Sequence, residues 1–269
     1  MAKAFIETTI LANILLKPGD IACRNKAALA KYETSSMPTY AIKELKAGAL
    51  AYYVWTYNKL VVTDSLANTL LAIRSVMSFQ PYRASTAIEA LASAMQPLIV
   101  SSELQTQYGK IADPQQVIFD SCRLMLKKLI IGAWKRRRLI CDSVLFPIGC
   151  FRESGPKEVD GLFELEERRC KPQTECELGL LLKKDPKALV RLKGVVDTQP
   201  QKRENSRRSK ALRELIRNPK RPCTETMCRD LGDVIFAFLA PIDATVLTTN
   251  LRDIQPLVAA LGKKASSPD

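Results

Sequence analysis

The sequence predicts an α/β fold whose small core is assembled from both ends of the chain and carries a long, largely helical insertion. An apolar strand at residues 4–6 opens the chain, and a strand rich in β-branched residues, "ATVLTTN", lies near its end. Most segments between them have the three- and four-residue spacing of apolar side chains that is typical of amphipathic helices. Strands at both ends with helices between them favour helices packed on one small sheet.

Helices are predicted in order after the first strand. The segment "GDIACRNKAALAKYE" has an amphipathic period, and "TYAIKELKAGALAYYVWTYNKL" repeats Ile42, Leu45, Ala49 and Tyr53 at helical spacing. The run "TDSLANTLLAIRSVMSF" begins at a Thr or Asp cap. Two more helices follow, in "YRASTAIEALASAMQPLIV" and "DPQQVIFDSCRLMLKKLIIGAWKRRRLI", and the second ends in a cluster of cations.

The C-terminal half is less regular. Residues 146–205 mix Gly, Pro, Cys and charged residues around one short helix, "DPKALVRLKGV". The basic helix "RENSRRSKALRELIRNP" ends at Pro219, a buried helix in "CTETMCRDLGDVIFAFLAP" precedes the second strand, and the last helix ends at Gly262. The predicted core is therefore residues 1–80 and 223–262, with an insertion at 81–222 and a flexible tail at 263–269.

The composition excludes several classes of function. The 269 residues include no histidine, which excludes histidine general bases, Ser-His-Asp and Cys-His pairs, and histidine-ligated metals. The apolar runs are too short to span a bilayer, and Glu7 and Asn13 interrupt the apolar start, which no cleavage site follows. We therefore expect a cytoplasmic protein with no membrane partner, whose eight cysteines are core residues, metal ligands or catalytic thiols.

The net charge of +13 is concentrated in two basic windows. Residues 120–141 hold seven Lys and Arg against one acid, and residues 201–222 hold nine against two, which together account for the whole excess. Clustered positive charge favours a polyanion partner, although two solvated helix faces are the alternative. The nucleic-acid-binding candidates are Lys127, Lys128, Lys135, Arg136, Arg137, Arg138, Arg207, Arg208, Lys210 and Arg213.

Acidic and amide side chains lie beside apolar structure in four segments. Glu7 follows the first strand, Glu44 lies inside a helix, Asp233 begins an apolar helical run, and Asn250 follows the second strand. Ligands of α/β proteins bind outside the carboxyl ends of the strands, where Glu7 and Asn250 would lie. Gathered carboxylates repel one another unless a cation neutralises them, and Mg²⁺ and Mn²⁺ prefer such oxygen ligands. The alternative is that each is a helix cap or a surface residue.

These four segments together resemble the PIN-domain nuclease family. "FIETTIL" is similar to its apolar strand followed by an acid, "PTYAIKEL" to its Glu-bearing helix, "GDVIFAF" to its acid-headed helix, and "ATVLTTN" to its closing strand. The likeness covers roughly residues 4–60 and 226–262. It implies a small parallel-sheet core and metal-binding roles for Glu7, Glu44 and Asp233, with Asn250 at the fourth catalytic position.

The resemblance also implies auxiliary residues and a reaction. The auxiliary residues are Asp230, Asp253, Thr8, Thr9 and Thr249, whereas we interpret Asp243 as a turn residue. The implied reaction is hydrolysis of RNA phosphodiester bonds with Mg²⁺ or Mn²⁺, which needs no histidine. Toxin and phage-defence members of the family cut cellular RNA, so tRNA is a plausible substrate.

Two other functions remain open. Glu7 is one methylene longer than the family's usual Asp, and Asn250 carries no charge where the family usually has Asp. These departures favour, as an alternative, a catalytically weak or inactive PIN-like module that binds RNA. The third hypothesis is an interaction protein whose basic windows bind an acidic partner. Tyr52, Tyr53 and two further aromatic residues, Trp55 and Tyr57, either stack on unpaired bases or belong to the core.

Two loose cysteine pairs predict a structural zinc site. Cys170 and Cys176 are separated by five residues, and Cys223 and Cys228 by four, so four thiolates could form a tetrahedral site. The alternative is that these cysteines are reduced and separate. The insertion has no family signature, and its possible roles are substrate selection, homo-oligomer formation, or binding of an antitoxin or other regulatory protein.

Overall fold

The chain folds around a five-stranded parallel sheet with the strand order β3-β2-β1-β6-β7. In the computed structural model, the described residues are 2–17, 19–100, 114–166, 176–200, 203–220 and 222–268. The strands are β1 (Lys3–Ile6), β2 (Thr34–Pro38), β3 (Ser143–Leu145), β4 (Lys157–Val159), β5 (Leu162–Glu164), β6 (Ala244–Leu247) and β7 (Lys264–Ser266). Strands β4 and β5 form a separate antiparallel hairpin.

Strand β1 forms the centre of the sheet. It pairs in parallel with β2 on one side and with β6 on the other, so that Phe5 lies opposite both Ser36 and Val246. Ala4, Phe5 and Ile6 are completely buried. Strands of parallel sheets are covered on both faces, which explains why this short strand is apolar throughout rather than alternating.

Helices account for most of the chain. They are α1 (Thr8–Leu16), α2 (Gly19–Leu29), α3 (Thr39–Leu45), α4 (Ala51–Thr63), α5 (Leu66–Met77), α6 (Pro81–Val100), α7 (Pro114–Arg136), α8 (Glu177–Lys183), α9 (Pro186–Thr198), α10 (Arg203–Arg217), α11 (Glu225–Asp230), α12 (Gly232–Leu239) and α13 (Leu251–Ala260). A π-helical segment, Lys46–Leu50, joins α3 to α4. Among the helices of the described residues, none has the length and apolarity needed to cross a lipid bilayer.

The helices pack around the sheet and on one another. Helices α4, α5, α6 and α7 contact one another in sequence, whereas α9 packs on α10 and α13, and α12 packs on α13. Their buried apolar side chains join those of β1 and β6 in one contiguous hydrophobic core. The helices of the predicted insertion therefore share one hydrophobic core with the sheet.

The predicted α/β class and the parallel sheet are confirmed, but five strands, three of them in the parallel sheet, lie where the sequence predicts none. Strand β2 occupies "TSSMP", between two predicted helices, and β3, β4 and β5 lie inside the predicted insertion at 81–222. Strand β7 lies in the predicted flexible tail, where it pairs in parallel with β6. Backbone pairing stabilises these segments although their side chains carry little β-strand signal.

Candidate acidic site at the carboxyl end of the sheet

The sheet reverses its strand order beside β1. Strands β2 and β3 extend the sheet on one side of β1, whereas β6 and β7 extend it on the other, so β1 and β6 flank a topological switch point. Open parallel sheets bind ligands in the crevice outside the carboxyl ends of such strands. Glu7 directly follows β1, and residues 248–250 directly follow β6. The fold therefore brings the first and last predicted site residues to the place where ligand sites commonly form.

Glu7 is a buried carboxylate held by hydroxyl and amide groups. It is 5% exposed, and its Oε2 accepts hydrogen bonds from the Thr9 backbone N at 3.0 Å, from Thr9 Oγ1, and from Thr248 Oγ1 at 3.1 Å. The Thr9 amide bond makes Glu7 the N-terminal cap of α1. Burial raises the pKa of Glu7, whereas the hydrogen bonds from Thr9 and Thr248 oppose that rise. Of these supporting residues, Thr9 was predicted from the sequence and Thr248 was not.

Glu44 reaches the same place from α3. Its Oε2 accepts a hydrogen bond from Thr8 Oγ1 at 2.7 Å. Burial raises its pKa to about 7, and the negative charges of Glu7 and Asp233 add to the rise. A Cβ atom at Gly232 would lie 2.8 Å from Glu44 Oε1, so any larger residue at this position would make the Glu44 carboxylate shift. The next residue of α12 is Asp233.

Asp233 is engaged by an arginine of the second basic window. Arg208 donates from Nη2 to Asp233 Oδ2, and from Nη1 to Asn205 Oδ1 at 3.2 Å. The side chains of Arg208 and Asp233 are 9% and 22% exposed. Burial raises the pKa of Asp233, the Arg208 charge lowers it, and the neighbouring Asp253 charge raises it. Arg208, which the sequence places among the RNA-binding cations, is therefore buried beside a predicted catalytic acid.

The remaining predicted residues do not all face the same space. Thr249 lines a cleft with Glu7 and Glu44, and its backbone N donates to Thr9 Oγ1 at 3.2 Å. Asn250 begins α13, and it lines a separate cavity of about 310 Å³ with Asp253 and residues around Arg208. Asp230 is half-buried at the end of α11. Asn250 therefore does not share the cleft of the first two acids.

The main cleft has a volume of about 540 Å³. Its acidic end is formed by Glu7, Thr8 and Glu44, and the π-helical segment supplies small side chains at Ala47, Gly48 and Ala49. π-Helical turns are rare and often occur at functional sites. Several other lining residues carry no local sequence motif that would mark them as site residues, namely Lys17, Tyr82, Glu89 and Arg229.

Glu7, Glu44 and Asp233 are the type of ligand that a hard divalent cation prefers, but their side chains are not positioned to bind one together. Glu7 is buried and Glu44 and Asp233 are half-buried, and their mutual repulsion contributes to the raised pKa values of Glu7 and Glu44, which a divalent cation would relieve. Within the described residues, however, no group of three or more Cys, Asp or Glu side chains is placed to hold a metal ion. Binding through all three acids would require Asp233 to exchange Arg208 for the cation.

The first basic window is partly neutralised by acids. Lys127 pairs with Glu158 at 2.6 Å, and Arg137 pairs with Glu153 at 2.8 Å while its guanidinium lies 3.8 Å from the centre of the Trp134 ring. Arg138 contacts the same Glu153. The other three predicted cations of this window, Lys128, Lys135 and Arg136, are exposed. Half of the predicted cations of this window therefore have an acidic partner in the chain.

Helix α10 presents the second basic window on one face. Arg207, Lys210 and Arg213 are exposed, whereas Leu212 and Leu215 are buried in the core. Arg208 lies on the buried side and reaches Asp233. The exposed cations of α10 are therefore attached to the same helix that contacts the acidic site.

Three of the four predicted zinc ligands converge. A Cβ atom at Gly179 would lie 2.5 Å from the Cβ of Cys223 and 3.7 Å from that of Cys176. Hydrogen bonds with Cys223 and Cys228 lower the pKa of the Cys176 thiol, so the three side chains are neighbours, although among the described residues they are not placed to hold a metal ion. Lys43 Nζ lies 3.2 Å from Cys150 Sγ and 3.9 Å from Cys228 Sγ. Cys170 lies outside the described residues, so the four-thiolate arrangement stays a prediction.

Comparison with known proteins adds no relative. No protein-family model, no curated protein and no solved structure matches this chain. The acidic cleft and the charges around it are therefore the observations from which a function can be inferred.

Proposed function

We propose that this chain is a Mg²⁺- or Mn²⁺-dependent endoribonuclease. The observation that carries the proposal is the cleft that Glu7 and Glu44 share at the switch point of the sheet, where the charge of Asp233 also acts on both acids although Asp233 is paired with Arg208. Burying several carboxylates together is costly unless a cation or a proton compensates them. The exposed cations of α10, the helix whose Arg208 contacts Asp233, supply positive charge for an RNA strand.

In this proposal, each residue has a defined role. Glu7, Glu44 and Asp233 hold the divalent cation, while Thr8 and Thr9 keep the first two carboxylates oriented through their hydrogen bonds. A bound Mg²⁺ or Mn²⁺ supplies polarisation of the phosphoryl oxygen and a lowered pKa of an attacking water. The resemblance to PIN-domain nucleases suggests a toxin or phage-defence type, with tRNA as a plausible substrate.

A cleavage assay tests the proposal. We expect the purified protein to cut single-stranded RNA in Mn²⁺, and Glu44→Gln and Asp233→Asn to lose that activity. Asp243→Asn is the matched control, because Asp243 is exposed, pairs with Lys3 at 2.5 Å and lies before β6, at the opposite end of that strand from Thr249. Cleavage that persists in EDTA, or in both acidic variants, would rule the proposal out.

A second candidate is an RNA-binding module without catalysis. Two observations favour it: Arg208 already neutralises Asp233, and Asn250 lies in a separate cavity. This function predicts salt-sensitive RNA binding that survives Glu44→Gln, together with no turnover in Mn²⁺. The same protein preparations and the same RNA therefore decide between the two candidates.

A further inference from the structure

Two tyrosines form a wall of the main cleft away from the sheet. Tyr52 lies in α4 and Tyr82 in α6, and their ring centres are 5.7 Å apart with the planes inclined by 70°. Both line the cleft that also contains Glu7 and Glu44. Tyr82 is 68% exposed, an unusual position for a large aromatic ring in a protein that has a well-filled core. Burial raises the pKa of Tyr82, and the charges of Tyr52 and Glu89, which also line this cleft, add to the rise.

The neighbouring tyrosines of α4 have structural roles instead. Tyr53 is buried, and its hydroxyl donates to the backbone carbonyl of Leu16 at 3.0 Å. Tyr57 is also buried and packs on Phe163 with 4.9 Å between ring centres. Tyr52 and Tyr53 both line the cleft, but Tyr53 is buried and its hydroxyl is engaged, whereas the ring of Tyr52 is partly exposed.

Arg83 stiffens this wall. Its guanidinium carbon lies 4.5 Å from the centre of the Trp55 ring and 5.9 Å from that of Tyr52. Its Nη1 also donates to Gln80 Oε1 at 2.9 Å. Cation–π contacts of this kind fix the orientation of the rings they cover. A ring that is already fixed loses less conformational entropy when a flat ligand stacks on it.

The floor of the cleft is open. Gly48 lies in the π-helical segment, and a Cβ atom at this position would meet no atom within 4 Å. Its neighbours Ala47 and Ala49 also have small side chains that line the cleft. The volume of about 540 Å³ lies within the range of small-molecule pockets, which is enough for a nucleotide-sized group.

We propose that the Tyr52–Tyr82 wall binds an unpaired nucleobase of single-stranded RNA. Base stacking on tyrosine rings is tolerant of sequence and requires a base that is not engaged in a duplex. Arg229, which is exposed and lines the same cleft, supplies a positive charge for the adjoining phosphate. The identity of the ligand as RNA rests on the proposed function, whereas binding of the base needs no hydrolysis.

Binding of an RNA oligonucleotide that contains 2-aminopurine tests this inference in EDTA, where a metal-dependent nuclease cannot cut it. We expect quenching of the base fluorescence by the full-length protein, and weaker binding of the same strand in a duplex. Tyr52→Ala and Tyr82→Ala should each weaken binding about tenfold and abolish the quenching, because one stacking contact is lost. Tyr82→Phe should retain both properties.

Two further variants separate stacking from a change of fold. Phe79→Ala is the matched control, because Phe79 is 65% exposed near Tyr82 but does not line the cleft. Gly48→Leu should block binding without lowering the melting temperature, since its side chain enters open space. Unchanged binding and quenching in both tyrosine-to-alanine variants, or equal affinity for duplex and single strand, would overturn the inference. Tyrosine-dependent binding without Mn²⁺-dependent cleavage would instead overturn only the nuclease proposal.

Discussion

The guanidinium of Arg208 and the carboxylate of Asp233 form an ion pair that joins α10 to α12 and is largely shielded from water. A single arginine thus provides, from within the chain, the positive charge that a metal ion would otherwise bring to this acid. A buried pair of this kind is tolerated because each charge compensates the other, and removing one partner leaves the second uncompensated. The stability of the protein should therefore depend on whether Asp233 is compensated by Arg208, by a metal ion or by neither.

Replacement of Arg208 tests this coupling. We expect Arg208→Ala to lower the free energy of unfolding by about 3 kcal/mol, because Asp233 then remains buried without its partner. Mn²⁺ should raise the melting temperature of the variant more than that of the original protein, since the cation can now bind Asp233 and stabilise the folded state. Thermal unfolding with and without Mn²⁺ measures both effects.

Arg207→Ala is the control for this experiment, because Arg207 is the exposed neighbour of Arg208 on the same helix. It should change the melting temperature little, with or without Mn²⁺. Equal melting curves for Arg208→Ala and Arg207→Ala would show that the ion pair contributes no net stability. An Mn²⁺ response no larger in Arg208→Ala than in the original protein would contradict competition between arginine and metal.

The two basic windows should differ in their contribution to RNA binding. The exposed cations of α10 extend from the helix that contacts Asp233, whereas several cations of the first window already pair with Glu153 and Glu158. We expect a triple substitution of Arg207, Lys210 and Arg213 by Ala to reduce the slope of log affinity against log salt by roughly 2, because each phosphate contact on a single strand contributes about 0.7.

The matched control is the triple substitution of Lys128, Lys135 and Arg136 by Ala, which removes the same charge from α7. It should leave the salt slope nearly unchanged, because these three cations, although exposed, are not on the helix whose Arg208 reaches Asp233. Fluorescence anisotropy with a labelled single-stranded RNA at several salt concentrations provides the measurement. A larger loss of slope in the α7 variant would place the RNA on that helix instead.

The sequence predicts strands well where they are apolar and poorly where they are polar. Strands β1 and β6 are predicted because a central parallel strand buries both faces, which leaves an apolar signature. Strand β2, "TSSMP", and strand β7, "KAS", lack that signature, because their pairing depends mainly on backbone hydrogen bonds. The β4–β5 hairpin could have been predicted from the sequence, because Asp160 and Gly161 form the Asp-Gly pair that is typical of a two-residue hairpin turn. Both residues have the positive φ angles that such a turn requires.

The residues of the candidate site were likewise predicted only where a local sequence motif identifies them. Glu7, Glu44 and Asp233 were identified from short motifs, and the strand order now explains why Glu7 lies at the switch point. The Arg208–Asp233 pair could not be predicted, because 25 residues separate its members and a basic window normally indicates a solvated surface. Tyr82 was missed for a similar reason, since only the packing of α6 on α4 brings it to the cleft.

Two glycines allow the position of Glu44 to be tested without changing any charge. Gly232→Ala places a Cβ atom 2.8 Å from Glu44 Oε1, so we expect the carboxylate to shift. Mn²⁺-dependent cleavage should fall at least about tenfold, because a displacement of about 1 Å can cost a hundredfold in rate. The measurement is initial cleavage rate beside a thermal unfolding curve.

Gly194→Ala is the corresponding control. Gly194 is exposed in the middle of α9, and a Cβ atom there would meet nothing within 4 Å. This substitution should stabilise the protein by about 0.5–1 kcal/mol, because alanine favours the helix over the unfolded chain, and it should leave cleavage unchanged. Full cleavage activity in Gly232→Ala would show that the packing of Glu44 against α12 has no role in the reaction.

The thiol cluster leads to a prediction about zinc. Cys176, Cys223 and Cys228 lie together, and a fourth thiolate from Cys170 would complete a tetrahedral site that ties the segment before α8 to the segment before α12. We expect about one zinc ion per purified chain, because structural sites of this type bind zinc with four thiolates. Cys176→Ser and Cys228→Ser should lose the zinc and lower the melting temperature, whereas Cys23→Ser, at an exposed position of α2, should do neither. Elemental analysis after dialysis decides the matter: a protein that is free of zinc and equally stable in EDTA would identify these cysteines as reduced side chains of the core.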